Sequence, residues 1–166
     1  MLNELRAQLE IFASDPTLDQ ARAALKRFEG STARVFVLAN GGTFANCEHV
    51  AVDWIKQKKI NVDIPTSGGL LTCFGNDYGF DNLYSKYLEH KNLDRDSLVI
   101  ALSSSGASKN ILNACTYAEA AGAELWTGWG FEKDRPLSEF GRYKFYVDSK
   151  DYNVIEVSHL AILLAL

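Results

Sequence analysis

Two short runs of apolar residues constrain the fold more than any other feature of the sequence. Residues 33–39 and 97–102 each contain a single polar or charged residue, and each run is followed at once by a turn rich in Gly or Ser. A helical pattern follows each turn. Strands made almost entirely of apolar residues are buried on both faces, which is typical of a parallel sheet. The repeated order of strand, turn and helix therefore predicts an α/β fold.

Other stretches extend this pattern over the whole chain. Short runs suited to strands occur at 59–64, 123–129 and 143–147. Apolar residues at helical spacing predict helices at 44–58, 79–91, 107–121 and 152–166. We therefore expect a three-layer α/β/α fold, in which a mostly parallel five-stranded sheet spans 33–147 and is covered by helices on both sides.

Two amphipathic helices within residues 2–29 precede the first strand. Apolar residues recur at helical spacing in both, with a break at Pro16. Together with the apolar run 160–166, these helices offer more apolar surface than one sheet needs. We expect a single domain over 1–166 that packs as a homo-oligomer, and a last helix that continues beyond Leu166 in the natural protein.

Composition disfavours several classes of protein. The 17 basic and 21 acidic residues give a net charge of −4, which disfavours binding of nucleic acid through clustered Lys and Arg. The run 160–166 is far shorter than the ~20 apolar residues that a membrane span needs, and the N-terminus lacks the hydrophobic centre of a signal peptide. Cys47, Cys73 and Cys115 form no CxxC pair, so neither a disulfide framework nor a structural zinc site is indicated. We expect a cytoplasmic protein that binds neither a membrane nor, directly, nucleic acid.

Two turns carry residues suited to binding a ligand, because ligands of open α/β sheets bind beyond the carboxyl ends of the strands. In the first turn, two glycines let the backbone approach a ligand, and the following helix offers free amides to an anion. A tight turn with no ligand explains this pattern equally well. The residues of the first turn are Asn40, Gly41, Gly42 and Thr43.

The second turn places four hydroxyl groups around one helix N-terminus, those of Ser103, Ser104, Ser105 and Ser108. One serine is enough to cap a helix, so four exceed what capping needs. Hydroxyls and backbone amides can donate to several oxygens of a phosphate monoester, and the absence of Lys and Arg favours a small polyol phosphate over a polyphosphate. Neither turn matches a nucleotide-hydrolase phosphate loop or the dinucleotide-binding GxGxxG, and no GxSxG elbow occurs.

Three motifs, in this order and spacing, resemble the sugar isomerase (SIS) domain family. They are the turn 40–43 followed by His49, the pair Asn76 and Asp77 before an aromatic-rich helix, and the serine loop 103–108. Within that family the chain is most similar to the sedoheptulose-7-phosphate isomerases, also called phosphoheptose isomerases. The resemblance implies an SIS-type fold, a sugar phosphate as substrate, aldose–ketose interconversion through an enediol, and a homotetramer with sites between subunits.

The resemblance also assigns binding roles to individual residues. It implies that the serine loop holds the phosphate, and that the first turn, Asn76 and Asp77 contact the sugar. Thr43 stands where the family has a serine and keeps the hydroxyl, whereas Ala107 stands where the family has an asparagine.

His49 and Asp53 stand at the family's His-x-x-x-Glu motif. The resemblance implies that Asp53 is the proton-transferring base and that both residues are ligands of a zinc ion. The family's Gln and His in the last helix are Ile155 and Leu163 here, and neither side chain binds a metal or accepts a proton. His159 lies four residues from each on the same helix face, so we expect it to be a second catalytic group and the third zinc ligand.

Packing and solvation offer other interpretations of these residues. Asp53 then is a solvated charge beside Lys56, and His159 is a buried histidine of a packed helix, with Glu156 and Ser158 exposed beside it. The changes in the last helix also suit a second function. In that alternative the chain is a non-catalytic SIS protein that binds a sugar phosphate as a sensor or adaptor, including the replication-initiation adaptor type.

Overall fold

The computed structural model describes residues 1–166, which form a five-stranded sheet between two layers of helices. The helices are α1 (Leu2–Ala13), α2 (Pro16–Leu25), α3 (Gly41–Asp53), α4 (Gly68–Tyr78), α5 (Leu83–His90), α6 (Lys109–Ala120) and α7 (Tyr152–Ala165). The strands are β1 (Arg34–Leu38), β2 (Asn61–Asp63), β3 (Leu98–Ser103), β4 (Glu124–Trp129) and β5 (Tyr143–Tyr146). All neighbouring strands are parallel, in the order β2-β1-β3-β4-β5, which confirms the predicted fold class. No helix combines the length and the apolar character needed to cross a membrane.

The two faces of the sheet contribute to two separate cores. On β1, Val35 and Val37 pack with residues of α1, α2, α3 and α7, whereas Phe36 and Leu38 pack with residues of α5 and α6. All four side chains are fully buried. Because the strand is covered on both faces, its sequence is a near-continuous apolar run rather than an alternating one. Burial of each such side chain stabilises the fold by roughly 1.5–3 kcal/mol.

The direction of strand addition reverses between β1 and β3. From β1 the chain crosses to β2 on one side, and the later strands β3, β4 and β5 then extend the sheet on the other side. As a result, α3 packs on one face of the sheet and α6 on the other. This arrangement leaves a crevice at the carboxyl ends of β1 and β3, where the first turn and the serine loop are located.

The structure contains one helix that the sequence pattern does not indicate. α4 includes three glycines, which lower helix propensity, and none of its residues is fully buried. It begins after Ser67, whose hydroxyl accepts a hydrogen bond from the Leu70 amide at 3.4 Å. Asn76 and Asp77 therefore lie within this helix, and the aromatic-rich helix expected after them is α5. The helix expected over 79–91 is a short 3-10 turn followed by α5.

α3 also differs from the helix expected over 44–58. It begins at Gly41, which has a φ of +57°, a value that glycine adopts readily. After Asp53 it continues as a single π-helical stretch to Lys58, which is followed by Lys59 in the left-handed conformation. The earlier start brings Gly42 and Thr43 into the first turn of α3, where backbone amides have no partner within the helix.

Candidate substrate-binding site

A cavity of about 220 Å³ lies at the crevice between β1 and β3. Its walls come from the turn after β1, the serine loop after β3 and the beginning of α7. The lining residues are Asn40, Gly41, Ser103, Ser104, Ser105, Ser108, Tyr152 and Glu156. The structure therefore brings together the two turns that the sequence singles out. It adds two residues of α7 that sequence reasoning does not assign to the site.

Hydroxyl groups of the serine loop face one another at one wall of this cavity. Ser103 Oγ lies 3.0 Å from Ser108 Oγ and 3.5 Å from Ser105 Oγ. Ser108 precedes α6, but its hydroxyl makes no capping hydrogen bond to the helix. The amides at the start of α6 provide further donors. This wall can therefore surround an anion with neutral hydrogen-bond donors.

Gly106 determines the shape of the serine loop. Its φ is +64°, and a Cβ at this position would lie only 2.6 Å from the Cβ of Arg135. Its backbone is held on both sides, because its N–H donates to the Ser103 carbonyl at 2.9 Å and its carbonyl accepts from the Leu137 amide at 3.0 Å. Glycine alone meets the steric and the conformational requirement together.

Asn40 joins the beginning of α3 to the beginning of α6. Its side-chain amide donates to Asn110 Oδ1 at 3.0 Å, and the amide of Asn110 donates back to Asn40 Oδ1 at 2.8 Å. Asn110 is almost fully buried. The reciprocal pair fixes the two helix N-termini relative to each other. Nothing in the sequence near Asn110 singles it out, because its partner is 70 residues away.

Thr43 makes a second connection between the same two segments. Its side chain is buried, and its Oγ1 lies 3.4 Å from Ser104 Oγ. The hydroxyl that Thr43 keeps in place of the family's serine thus contacts the serine loop from the first turn of α3. Its methyl group is accommodated without exposure to solvent.

α7 supplies the only carboxylate among the residues that line the cavity, that of Glu156. A Cβ on Gly42 would lie 2.2 Å from Glu156 Oε2, so this glycine is the residue that leaves room for the carboxylate. Asn46 Nδ2 donates to the Glu156 carbonyl at 2.9 Å and holds this part of α7 against α3. Glu156 is half-buried and Ser158 fully buried, so the interpretation of both as exposed neighbours of His159 is wrong.

A second, more apolar cavity of about 410 Å³ adjoins the first turn. It shares Asn40 and Gly41 with the serine-loop cavity. Its other lining residues are Phe44, Leu71, Thr72, Phe80, Leu83 and Tyr84. The Tyr84 hydroxyl donates to the carbonyl of Ala39, the residue after β1, and burial raises the pKa of Tyr84. Tyr84 therefore acts as a neutral support beneath the first turn.

Asn76 and Asp77 do not line either cavity. Both are exposed on α4, where Asn76 Nδ2 donates to Asp77 Oδ1 at 2.9 Å and the Cys73 thiol donates to Asp77 Oδ2 at 3.3 Å. The Asn76 amide, and then the Cys73 thiol, hold the pKa of Asp77 below its usual value. In a single chain the pair is thus separate from the serine loop, and its contact with the sugar remains a prediction.

His49 and Asp53 lie near each other on α3 but outside the serine-loop cavity. His49 Nε2 is 3.5 Å from Asp53 Oδ2, and the side chains are 59% and 34% exposed. Asp53 Oδ1 also accepts a hydrogen bond from Gln57 Nε2 at 3.2 Å. Both carboxylate oxygens therefore have neighbours on the same helix, and no residue of the serine loop is among them.

His159 does not reach the cavity, so the expectation that it acts there is wrong. The residue is 1% exposed. Its ring packs against β4, where a Cβ on Gly128 would lie 3.3 Å from Nε2. Neither ring nitrogen has a hydrogen-bond partner, and burial lowers the pKa of His159 to about 4. The interpretation of His159 as a histidine of a packed helix is the better one, although its nitrogens are unpaired.

The expected zinc ligands do not come together. His49 and Asp53 are near each other on α3, but the ring of His159 is enclosed between α7 and the sheet. No group of three His, Cys, Asp or Glu side chains in the chain is placed to hold a metal ion. Since a catalytic zinc usually has three protein ligands, the residues of this chain alone do not fit a zinc site.

The two changed positions of the last helix are part of the core. Ile155 is fully buried, and a Cβ on Gly130 would lie 2.4 Å from its Cδ1. Leu163 is also buried in the same apolar cluster. Both side chains thus contribute packing against the sheet rather than polar groups to the cavity.

Known proteins match this chain in sequence and in fold. No protein-family model matches the chain. A curated phosphoheptose isomerase from Campylobacter concisus is 31% identical over 133 residues, which are 76% of this chain and 69% of that protein. A phosphoheptose isomerase from Geotalea daltonii is 31% identical over 99 residues, which are 56% of this chain. The chain spans only about half, 51%, of the length of the Geotalea protein.

The fold is also found among solved structures. The phosphoheptose isomerase GmhA from Neisseria gonorrhoeae superimposes with a TM-score of 0.87, covering 99% of this chain and 90% of that one. Its sequence is 21% identical, so this match shows the shared fold. The identity and coverage of the Campylobacter protein are what show the relationship at the level of sequence.

Proposed function

This chain belongs to the phosphoheptose isomerase family, and we propose that it interconverts the ketose and aldose forms of a sugar phosphate such as sedoheptulose 7-phosphate. The observation that supports this proposal best is the cavity lined by four serine hydroxyls at the carboxyl end of β3. Its lining contains neither Lys nor Arg. Such a site suits a single phosphate held by neutral donors at a helix N-terminus.

In the proposed reaction the phosphate serves to position the sugar. Ser103, Ser105 and Ser108 and the amides at the start of α6 donate to phosphate oxygens, and the Asn40–Asn110 pair holds α3 in a fixed place beside them. A bound phosphate directs the carbonyl end of the sugar away from the serine loop. Fixing the reacting carbons next to an acid–base group lowers the barrier because the alignment is achieved on binding.

Asp53 is the base that the resemblance implies, and its role depends on assembly. It does not line the cavity of its own chain. We therefore propose a homotetramer with sites between subunits, in which Asp53, Asn76 and Asp77 contribute to the site of a second copy. Large apolar side chains exposed on the helices support self-association, among them Leu2, Ile11, Val52, Ile55 and Leu164.

The same proposal places the protein in the cytoplasm. Cys47, Cys73 and Cys115 are all free, and the cytoplasm is the compartment that keeps thiols reduced. The non-catalytic sensor or adaptor is not favoured, because the curated relatives are named as isomerases.

The experiment that tests the proposed function measures binding and turnover of sedoheptulose 7-phosphate separately. Ser105→Ala and Ser108→Ala should each weaken binding by roughly 1.5–3 kcal/mol, because each removes a hydrogen bond to a charged group. Ser14→Ala is the matched control, since Ser14 Oγ bonds only to the Glu10 carbonyl in α1. Calorimetry gives the affinity, and NMR follows the appearance of the aldose.

Two results would count against the proposed function. Unchanged affinity in both serine variants would remove the phosphate site from the serine loop. Tight binding by the wild type, without any product or exchange of sugar protons with heavy water, would favour the sensor over the isomerase.

A further inference from the structure

The carboxylate of Glu156 lies in the serine-loop cavity without a partner in the chain. We propose that Glu156 is the catalytic residue that transfers the proton between the two reacting carbons of the sugar phosphate. This inference rests on the proposed function, because it names the base for that reaction. It differs from the resemblance, which implies Asp53.

The fold makes a specific place for this carboxylate. Glu156 reaches from α7 to the first turn of α3, where its Oε2 occupies space that a Cβ on Gly42 would need. The hydrogen bond from Asn46 to the Glu156 carbonyl at 2.9 Å fixes the backbone from which the side chain extends. The carboxylate thus sits on the cavity wall formed by α7, and the serine hydroxyls belong to the wall formed by the two turns.

The carboxylate of Glu156 differs from that of Asp53 in its partners within the chain. No hydrogen bond or ion pair within the chain involves the Glu156 side chain, although the residue is half-buried. Asp53 accepts from Gln57 and lies next to His49. A half-buried carboxylate with no internal donor is free to accept a proton from a ligand in the same cavity.

Local electrostatics allow a carboxylate and a phosphate to share the site. The Glu156 carboxylate extends from α7 to the N-terminal end of α3, where the helix dipole and the amides of the first turn favour negative charge. The phosphate would bind at the N-terminus of α6, which provides a second and separate set of amides. Each anion therefore has its own helix N-terminus, and the sugar carbons would lie between the two.

The proposed step conserves atoms and electrons. In the ketose-to-aldose direction, a Glu156 oxygen takes a proton from C1, and the electron pair of that C–H bond forms the C1=C2 double bond. The C2 carbonyl oxygen takes a proton from solvent, which gives the enediol. The C1 hydroxyl then loses its proton to solvent and its O–H electron pair forms the aldehyde carbonyl, while the C1=C2 electron pair takes a proton from the Glu156 carboxyl group to form the new C2–H bond. No oxidant or reductant is consumed.

The test measures turnover, proton exchange and binding of the Glu156→Gln variant in the full chain. Glu156→Gln keeps the shape of the side chain and removes the base, so turnover of sedoheptulose 7-phosphate and exchange of its C1 protons with heavy water should fall by ~10²–10⁴-fold. Binding should stay within about threefold or become tighter, because repulsion of the phosphate is removed. Glu156→Asp, with a shorter carboxylate, should retain part of the activity.

Glu48→Gln is the matched control, because it removes an acidic group from α3 outside the cavity lining. It should leave turnover unchanged, and equal thermal unfolding of all variants excludes misfolding. An active wild type with an equally active Glu156→Gln variant overturns this inference and leaves the proposed function intact. Loss of binding together with turnover makes Glu156 a binding residue and also overturns it. A wild type that binds without turnover or exchange overturns the proposed function itself.

Discussion

The two walls of the serine-loop cavity differ in how their polar groups are satisfied. On the wall made by the turns after β1 and β3, Ser103 contacts Ser108 and Asn40 pairs with Asn110. On α7, by contrast, the Ser158 hydroxyl and both ring nitrogens of His159 are buried without any partner. The wall made by the two turns, the turn wall, therefore carries polar groups that are hydrogen-bonded to one another. The face of α7 that packs on the sheet instead carries buried polar groups without partners.

This difference suits the proposed division between phosphate binding and proton transfer. The residues that suit phosphate binding are at the ends of strands, where their position follows from the parallel sheet. On α7, Ile155 and Leu163 are core residues, and only Glu156, at the edge of the packed face, brings a charge to the cavity. A helix can therefore pack most of one face against the sheet and still present a carboxylate to the cavity at the edge of that face.

The largest effect on the turn wall should come from Gly106→Ala. The φ of +64° costs roughly 1–2 kcal/mol for a residue with a Cβ. That Cβ would also lie 2.6 Å from Arg135 Cβ, an overlap of a kind that adds roughly 1–3 kcal/mol. We expect a loss of about 4 kcal/mol in the free energy of unfolding, measured by urea denaturation. Weaker sugar-phosphate binding should accompany it.

Gly30→Ala is the control for that measurement. Gly30 has a similar φ of +67°, but nothing lies within 4 Å of a Cβ placed there. The Gly30→Ala variant should therefore lose only the conformational part of the unfolding free energy, about 1–2 kcal/mol. Equal losses in the two variants would show that the contact with Arg135 does not constrain the serine loop.

The largest pH effect should come from His159 on the packed face. Burial lowers its pKa to about 4 in the folded state, against an ordinary value near 6.5 in the unfolded chain. The unfolded state therefore binds more protons between these values, so stability is full above pH 6.5 and falls as the pH decreases to about 4. The shift corresponds to about 3 kcal/mol.

Replacement of His159 by leucine isolates this contribution. The difference in unfolding free energy between wild type and His159→Leu should change by about 3 kcal/mol between pH 7 and pH 4, in favour of the variant at low pH. His49→Gln is the control, because His49 is exposed on α3. A constant difference between wild type and His159→Leu across this range would contradict a buried, neutral ring.

A smaller effect on α7 should follow from Ile155→Gln, which introduces the residue type of the family. The amide would be fully buried against Gly130 without a partner, so we expect a loss of about 2 kcal/mol in unfolding free energy. Ile155→Leu, which keeps the volume, should cost less than about 1.5 kcal/mol. Unchanged stability of Ile155→Gln would mean that this position is open to the cavity rather than part of the core.

Sequence periodicity predicts the sheet well because its strands are buried on both faces. The runs 33–39 and 97–102 match β1 and β3 to within one residue at each end, and the two turns meet at the carboxyl ends of these strands. The helix α4 is not predicted, since its glycines weaken the pattern and none of its residues is fully buried. Where burial is partial, the sequence carries less information about structure.

Helical spacing alone does not determine which face of α7 turns to the site. Ile155 and His159 share a face, but the sequence does not say whether that face turns to the cavity or to the sheet. In the structure it turns to the sheet, and the neighbouring Glu156 reaches the cavity instead. Asn110 is not predicted for a similar reason, because its role depends on a pairing 70 residues away.

The smallest expected effect concerns the pair that joins the two helix N-termini on the turn wall. A double-mutant cycle of Asn40→Ala, Asn110→Ala and the combined variant should give a coupling of about 1 kcal/mol in unfolding free energy. Asn40 is half-buried, so when only Asn110 is replaced, water can supply part of the hydrogen bonding that Asn40 loses. Each single variant should also bind sugar phosphate more weakly, because α3 and α6 are no longer held in one arrangement. A coupling near zero with unchanged binding would show that the strands alone position the two helix N-termini.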